Sequence, residues 1–325
     1  MVWGSLVKKS LGSFSGTRNS KGFTLGEKIV ARCMFLVRNV IYFALYLVLR
    51  VTLRREVSIL VYHSVDSNDS FYTVSPEEFR RQMEYLRKNY EIVSLDEITD
   101  FVVGKGSLPK RSVAITCDDG YYDNYLNIYP YFKKYGLPVA IFVATGYVGK
   151  EIPLDNIPVK MLGWDELVQM SRNNVTIGAH TTTHRSLQEI DLEEAKNEIL
   201  KSKREIEKEI GNCVNYFAYP FSGHNDEVVD LVRFLGFKAS FDGEGVVRQG
   251  DNPYMLNRIP VDASATFLMF KARLTMATEW YRKIEEIGSK IIRRFPFLSI
   301  VDRTYHDRQL AKIFRSGVRG TNQTT

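Results

Sequence analysis

From Val57 onward, short apolar runs alternate with segments of helical periodicity. VSILVYH, SVAIT and LPVAIFVAT are such runs, and their length suits buried strands. The helical signals include a capping sequence at Ser75-Pro76-Glu77-Glu78, the segment Asp123 to Tyr135 and a long charged segment that begins at Asp191. Strands that alternate with helices predict parallel β-α-β units. Seven or so such units in about 210 residues indicate a small or irregular α/β barrel.

Polar side chains follow three of the predicted strands at the point where each strand ends. His63 ends the first apolar run, Asp118 and Asp119 come shortly after SVAIT, and His180 follows the strand Val175 to Ala179. In βα barrels the functional residues lie at the carboxyl ends of the strands, which meet at one mouth. These side chains are therefore expected to share one site.

Asp118 and Asp119 form an unusual pair for a strand end. Adjacent carboxylates behind a buried strand are costly, because like charges repel and burial disfavours both charges. A cation nearby would relieve that cost. Acidic residues at a strand-to-helix turn also cap helices, so these two residues alone leave both interpretations open.

The segment His180-Thr181-Thr182-Thr183-His184 contains two of the five histidines of the chain. Histidines four residues apart can converge on one metal ion, either on a helical turn or in a tight loop. A pair of exposed or core histidines is the alternative. Two histidines and one carboxylate form a common ligand set for a hydrolytic metal ion with an open position, so the two clusters together predict such a site.

The strings TCDDG, HTTTH and FAYPF, in this order and at these distances, resemble the polysaccharide deacetylases of carbohydrate esterase family 4, which contain the NodB-homology domain. The resemblance covers roughly residues 56–262. It implies a distorted (β/α)7 barrel that acts on N-acetylated sugars with one divalent metal ion, usually zinc and sometimes cobalt or nickel. It also implies that Asp119, His180 and His184 hold the metal ion and that Asp118 is the general base.

Two departures from the common family pattern concern the remaining catalytic groups. FAYPF lacks the usual Arg ahead of its Pro, and the segment Leu256 to Pro260 lacks the usual catalytic His. VYHSV instead resembles the start of the permuted poly-N-acetylglucosamine deacetylase subgroup, where a His on this early strand is the acid. The resemblance implies His63 as the acid, with a core histidine as the alternative. Arg258 is the candidate to replace the missing Arg beside Asp118.

Five residues are candidates for binding the substrate or shaping the groove: Tyr121, Trp164, Pro220, Phe221 and Arg258. Backbone N–H groups near Tyr121 could stabilise an oxyanion. Trp164 could stack on a sugar or could simply begin a helix. Cys117 stands where the family usually has Phe; it is interpreted as a packing residue, with an additional metal ligand as the alternative. His224 and His306 are expected at the surface.

The charges divide the chain into three parts. Residues 1–55 hold ten Lys or Arg and one acidic residue, residues 56–270 hold 22 basic and 32 acidic residues, and residues 271–325 hold twelve basic and five acidic residues. Basic ends can bind nucleic acid or anionic lipid. Here the basic residues alternate with long aliphatic side chains and the acidic middle would repel phosphate, which argues against nucleic acid as a partner.

The N-terminal part contains an apolar segment of limited length. Its longest uncharged stretch, Asn39 to Leu49, has 11 residues, whereas a span of the bilayer needs roughly 20. Residues 29–55 are expected to form a basic membrane-associated helix, either interfacial or a marginal span, with an amphipathic helix packed on the body as the alternative. The expected organisation is a basic N-terminal segment (1–55), a catalytic domain (56–265) and a basic helical extension (266–325).

These features together predict a membrane-associated enzyme that removes N-acetyl groups from amino sugars of a polysaccharide or a lipid-linked glycan. One alternative is a non-catalytic carbohydrate-binding relative, which the two departures would explain but which the complete set of Asp118, Asp119, His180 and His184 argues against. Another alternative is a hydrolase of a different amide or of an ester with the same metal site. The sequence does not indicate the oligomeric state.

Overall fold

The computed structural model describes residues 56–274, except Asp69, Phe71, Asp155, Asn156 and Ser264, together with Val40 and Ala44. Apart from these last two residues, the helix expected over 29–55 lies outside the described residues, and so does the extension after Leu274. Within the part of the chain that the structure describes, no helix has the length and apolar character needed to cross a membrane.

Seven parallel strands form a closed barrel. In chain order they are β1 (Glu56–Tyr62), β2 (Ser112–Cys117), β3 (Val139–Val143), β4 (Val175–Ala179), β5 (Tyr216–Ala218), β6 (Ala239–Glu244) and β7 (Leu256–Pro260). Each strand pairs with the next along the chain, and β7 pairs with β1 to close the ring. The predicted distorted (β/α)7 barrel is therefore confirmed.

Helices pack around the strands. They are α1 (Pro76–Asn89), α2 (Leu95–Val102), α3 (Tyr129–Tyr135), α4 (Trp164–Ser171), α5 (Leu192–Ile210), α6 (Asp226–Phe234) and α7 (Phe267–Arg273), and a π-helical turn at Asn124–Ile128 leads into α3. The predicted caps are present: the side chains of Ser75 and Asp191 accept hydrogen bonds from the first turns of α1 and α5. Gly136 ends α3 with a φ of 64°, a conformation that glycine adopts without steric cost.

Strand prediction from the sequence differs from the structure at two places. The segment EIVSL predicts a strand, but only Glu91–Ile92 forms one, and it pairs with β2 outside the closed ring. β6 was not predicted, since ASFDGE lacks an apolar run. The remaining short strands lie outside the barrel and are Ser64–Val65, Thr73–Val74, Glu151–Leu154, Ile157–Lys160 and Val247–Arg248.

The alternation of side chains along the strands separates two buried layers. On β2, Val113, Ile115 and Cys117 belong to the apolar cluster beneath the helices, whereas Ala114 belongs to the cluster inside the barrel. Cys117 is thus a packing residue. By the same alternation, Thr116 and then Asp118 continue the inward face of β2 toward the mouth.

Two aromatic side chains pack against each other inside the barrel. The rings of Phe142 and Phe241 lie 5.2 Å apart between centroids, and alanines from neighbouring strands leave room for them. Gly178 on β4 has a similar role, because a Cβ atom there would lie 2.5 Å from the ring of Phe142. The inside of the barrel is therefore a packed core, and Asp118 lies at the mouth above it.

The described start of the C-terminal extension packs on the barrel domain. Phe267 and Phe270 of α7 lie against Tyr85 of α1, with centroid separations of 5.7 and 6.5 Å. Arg273 donates a hydrogen bond of 2.8 Å to the carbonyl of Pro260 at the end of β7. α7 therefore covers the helical layer beside α1.

Candidate metal centre and active site

The strand register brings the predicted polar residues to one mouth. Tyr62 on β1 pairs with Cys117 on β2, and the N–H of Asp118 donates to the carbonyl of Tyr62 at 2.9 Å. His63 therefore lies beside Asp118. On the other side, the N–H of His180 donates to the last residue of β3, so that the residues following β1, β2 and β4 face one another.

Asp119, His180 and His184 converge on one point. Their potential ligand atoms all lie within 4.8 Å of one another. The Oδ1 atom of Asp119 is 3.4 Å from Nε2 of His180 and 3.0 Å from Nε2 of His184. This oxygen is buried and has no hydrogen-bond partner among the described residues. A buried carboxylate oxygen in that situation is costly unless a cation lies beside it, so the three residues fit a divalent metal ion.

A backbone carbonyl orients the imidazole of His180, and the backbone of His184 lies in a tight loop. Nδ1 of His180 lies 2.7 Å from the carbonyl of Ala218, which makes Nδ1 the protonated nitrogen and leaves the lone pair of Nε2 toward Asp119. His184 has a left-handed backbone with a φ of 57°, and its N–H donates to Oγ1 of Thr181 at 3.0 Å. The histidine pair therefore lies in a tight loop and not on a helical turn.

Asp118 has a different partner from Asp119. Nη1 and Nη2 of Arg258 donate to its two carboxylate oxygens at 2.7 and 2.6 Å. Burial raises the pKa of Asp118, but the charge of Arg258, the nearby His180 and the two hydrogen bonds outweigh it, and the net pKa is lower than usual. Asp118 is thus ionised at neutral pH.

Arg258 reaches Asp118 from inside the barrel. It is 6% exposed, it follows the inward face of β7, and its guanidinium carbon lies 5.5 and 5.8 Å from the ring centroids of Phe142 and Phe241. Nη1 also lies 3.3 Å from Oγ1 of Thr116 on β2. The guanidinium is therefore held between an aromatic floor and the carboxylate above it.

A hydrogen-bonded network holds the chain next to His63. The side-chain amide of Asn124 donates to the carbonyl of His63 at 2.8 Å, and the carboxylate of Asp123 accepts from Oγ of Ser64 and from the N–H of Val65 at 2.7 and 2.9 Å. Burial raises the pKa of Asp123 to about 6, although these hydrogen bonds oppose the shift. The turn after the two carboxylates thus also positions the candidate acid. In the sequence, this turn is indicated only by the polar pair Asp123-Asn124, shortly after TCDDG.

The predicted substrate-binding residues have different surroundings. Phe221 is 72% exposed, has a φ of 57°, and places its ring 4.6 Å from the ring of His184. Pro220 beside it is buried. Tyr121 is also buried, and burial together with its contact to Asp119 raises its pKa.

Trp164 begins α4 and packs, half-buried, against the apolar layer beneath the helices. Of the two interpretations left open for this residue, the start of a helix is the one observed. A contact with substrate stays a prediction.

His224 was expected at the surface, and this prediction is wrong. The side chain is 7% exposed, and its Nε2 lies 2.7 Å from Oδ2 of Asp242 on β6. Its ring also packs on Tyr219, with 4.7 Å between centroids. The partner of His224, Asp242, lies on β6, the strand that the sequence did not predict. Nothing near His224 in the sequence indicates that a carboxylate lies beside it. His306 lies outside the described residues.

A closed parallel barrel with this mouth defines a class of protein. A carboxylate and two imidazoles converge on one point, a second carboxylate is ionised beside them, and a further histidine lies on the neighbouring strand end. This is the arrangement of a barrel hydrolase with a possible metal site.

Comparison with known proteins specifies that class. Residues 105–240 match the family model described as Polysaccharide deacetylase. A poly-beta-1,6-N-acetyl-D-glucosamine N-deacetylase of Staphylococcus aureus (strain MRSA252) is 29% identical over 205 residues, which cover 60% of this chain and 69% of that protein. These matches confirm the predicted resemblance to the NodB-type polysaccharide deacetylases and the prediction of an enzyme of that class.

Solved structures support the same fold. IcaB from Ammonifex degensii superposes with a TM-score of 0.60 at 25% identity, over 69% of this chain and 98% of that one. The Streptococcus pyogenes deacetylase PplD in complex with acetate superposes with a TM-score of 0.57 at 23% identity, over 64% of this chain and 92% of that one.

The matched segment 105–240 contains both carboxylates and both histidines of the candidate centre. His63 and Arg258 lie outside it, on either side. The two candidates for the groups in which this chain departs from the common pattern thus lie beyond the matched residues.

Replacement of Arg258 by Ala is expected to lower the free energy of unfolding at pH 7 by about 3–5 kcal/mol, because it leaves the charge of Asp118 buried and unpaired. The folded-state pKa of Asp118 is lowered in the native protein, so its stabilisation is present above its unfolded pKa, near 4, and is lost as the pH falls further. The loss caused by the variant should therefore shrink at low pH. Urea denaturation at pH 7 and at about pH 3 measures both effects.

The matched control is Arg233→Ala, which removes an exposed ion pair with Asp230 of 3.2 Å and should change the unfolding free energy by less than about 1 kcal/mol. Equal effects of the two substitutions at pH 7 would contradict the importance assigned to the Arg258–Asp118 pair.

Proposed function

We propose that the protein hydrolyses the N-acetyl groups of amino sugars in a polysaccharide or a lipid-linked glycan. The observation that carries this proposal is the convergence of Asp119, His180 and His184 beside an ionised Asp118. The name of the Staphylococcus aureus relative supports a polymer of N-acetylglucosamine as the first substrate to test.

The cofactor we propose is one divalent metal ion held by Asp119, His180 and His184. The nitrogen-rich ligand set favours zinc, and the family resemblance leaves cobalt and nickel as alternatives. When bound, such an ion supplies Lewis-acid polarisation of the acetyl carbonyl and lowers the pKa of a water molecule in the site toward about 7.

Asp118 is assigned the role of general base. Its carboxylate is ionised, and each oxygen retains a lone pair after accepting one hydrogen bond from Arg258, so it can accept a proton from the attacking water. The guanidinium prevents rotation of the carboxylate, because both oxygens are bound. A base held in one orientation does not populate conformations from which it cannot accept the proton.

His63 is assigned the role of general acid. An amine is a poor leaving group unless its nitrogen receives a proton as the bond to the carbonyl carbon breaks. The half-buried ring of His63 lies at the mouth beside Asp118, where the departing nitrogen of an amide bound there would be within reach. The Asp123 and Asn124 contacts keep its backbone in place during that step.

The exposed ring of Phe221 is proposed to contact the sugar, since it lies beside the ring of His184, one of the proposed metal ligands. Backbone N–H groups near Tyr121 are proposed to stabilise the oxyanion. Arg258 acts in this proposal through Asp118 and not by direct contact with substrate. Pro220 shapes the turn that presents Phe221, and Trp164 remains a candidate for stacking on a more distant sugar unit.

We also propose that residues 29–55 bind a membrane surface, as an interfacial helix or a marginal span. The basis is the sequence of this segment, in which basic residues flank a short apolar stretch. A membrane-bound enzyme would act on glycan close to the bilayer, which is consistent with a lipid-linked substrate. Nucleic acid is not proposed as a partner.

Acetate release from N-acetylglucosamine oligomers and from lipid-linked amino sugars, measured on the full chain loaded with zinc, tests the proposed reaction. The wild-type protein should bind one equivalent of zinc and release acetate. Asp119→Ala should lose both properties, whereas Asp230→Ala, which removes an exposed carboxylate, should keep them. Sugar binding without acetate release under zinc, cobalt and nickel would favour the non-catalytic alternative. Release of acetate from simple amides or esters but from no sugar would favour the other hydrolase.

Replacement of His63 by Gln tests the general acid. The rate of amide hydrolysis should fall by about 10²–10⁴-fold, while hydrolysis of 4-nitrophenyl acetate should change little, because nitrophenolate departs without a proton. Steady-state kinetics with both substrates measure the difference. Unchanged amide hydrolysis would remove His63 from this role, and equal losses on both substrates would indicate a role in folding or binding instead.

Cosedimentation with vesicles tests the membrane proposal. The full chain should bind vesicles that contain anionic lipid, and the triple variant R50Q/R54Q/R55Q should bind them about 100-fold more weakly, since each basic residue near an anionic surface contributes about 1 kcal/mol. Neutral vesicles are the control and should show no such difference between the two proteins. A full chain that stays in the supernatant with anionic vesicles would contradict the proposal.

A further inference from the structure

We infer that Glu198 is a positioning residue for the metal centre: its carboxylate holds the loop between His180 and His184 in the conformation that directs both imidazoles at one point. This inference rests on the proposed metal-dependent function. Glu198 belongs to none of the three strings that carry the family resemblance, and it lies on α5, fourteen residues after the second histidine.

The loop needs external support because its backbone is unfavourable. Thr181 and His184 have φ values of 65° and 57°, in the left-handed region that residues with a Cβ rarely adopt. A β-branched residue such as Thr181 is especially disfavoured there. Such conformations persist only where the surrounding structure imposes them.

Glu198 binds the middle of the loop with both carboxylate oxygens. Oε2 accepts the backbone N–H groups of Thr182 and Thr183 at 2.9 and 2.8 Å, and Oε1 accepts the hydroxyl of Thr183 at 2.9 Å. The hydroxyl of Thr182 in turn donates to the backbone carbonyl of Glu198 at 3.3 Å. Hydrogen bonds to an ionised carboxylate are shorter and stronger than neutral ones, so these contacts suit a strained loop.

The opposite side of the loop is held by the turn after β3. The N–H groups of Thr145 and Gly146 donate to the carbonyls of Thr181 and Thr182 at 3.1 and 2.8 Å. A Cβ atom at Gly146 would lie 2.5 Å from the carbonyl oxygen of Thr182, so the two segments are in close contact. The loop is thus bound through its carbonyls on one side and through its N–H groups on the other, where Glu198 is the acceptor.

The carboxylate of Glu198 is not required to attach its helix. α5 is anchored by the buried side chains Ala195, Ile199, Ser202 and Ile206. Removal of the carboxylate should therefore act mainly on the loop, which would lose its acceptor and sample other conformations. A metal ion would then have to order its own ligands on binding, and its affinity would fall.

Zinc affinity of the full chain, measured by competition with a chromophoric chelator, tests the inference. Glu198→Ala should weaken zinc binding by about 10–100-fold, as loss of a group that orients metal ligands commonly does. Glu198→Gln keeps an oxygen in the position of Oε2 and should recover most of the affinity. Glu205→Ala, two turns along the same helix with only an exposed pair to Lys201 at 4.0 Å, is the matched control and should bind like wild type.

Activity supplies an independent readout. At saturating zinc, kcat of Glu198→Ala should return to within a few-fold of wild type, because the ligands and catalytic groups themselves are unchanged. Should the Ala variant fail to fold, Glu198→Asp, whose shorter side chain withdraws the carboxylate, takes its place and should bind zinc more weakly than Glu198→Gln.

Zinc binding by Glu198→Ala as tight as by wild type, or equally weak binding by Glu205→Ala, would overturn the inference, and so would a kcat that stays low at saturating zinc. Failure of the wild-type protein itself to bind zinc, cobalt or nickel would instead overturn the proposed metal centre, and the inference with it.

Discussion

The rest of the site depends on one electrostatic constraint: two adjacent carboxylates, Asp118 and Asp119, are buried at the end of a single strand. Neither can remain charged there without its own positive partner. The structure satisfies the first with the guanidinium of Arg258 and directs the second at two imidazoles, where a buried oxygen is left for a cation. Different partners make the two carboxylates chemically different, which is the basis for proposing one as a base and the other as a metal ligand.

The barrel makes this separation possible through strand alternation. Asp118 continues the inward face of β2, and Arg258 lies on the inward face of β7, so the two meet above the phenylalanines that fill the interior. Asp119 has a left-handed backbone, with a φ of 72°. Its side chain lies against the histidine loop and not against the Asp118–Arg258 pair. A packed aromatic floor excludes water below the ion pair, which strengthens it.

Rigid support of the mouth is shared among neighbouring elements. The turn after β2 holds the chain at His63 through Asp123 and Asn124, and α5 holds the histidine loop through Glu198. In both places a side chain binds backbone groups of a segment at the mouth. The conformational entropy of these loops is thereby lost on folding and not on binding of metal or substrate.

Local signals in the sequence determined most of the fold and the nature of the chemistry: the caps at Ser75 and Asp191, the apolar runs, the paired carboxylates and the spaced histidines all act over a few residues. Only the tertiary structure decided which distant group serves each of them. The family resemblance makes Arg258 a candidate partner of Asp118, but only the structure shows the guanidinium reaching this carboxylate across 140 positions. β6 lacks an apolar run, and its first three residues are buried within the closed ring. Interactions between residues close in sequence determine the helices and strands. Which distant residues meet depends on strand register and barrel closure, and both are properties of the assembled sheet.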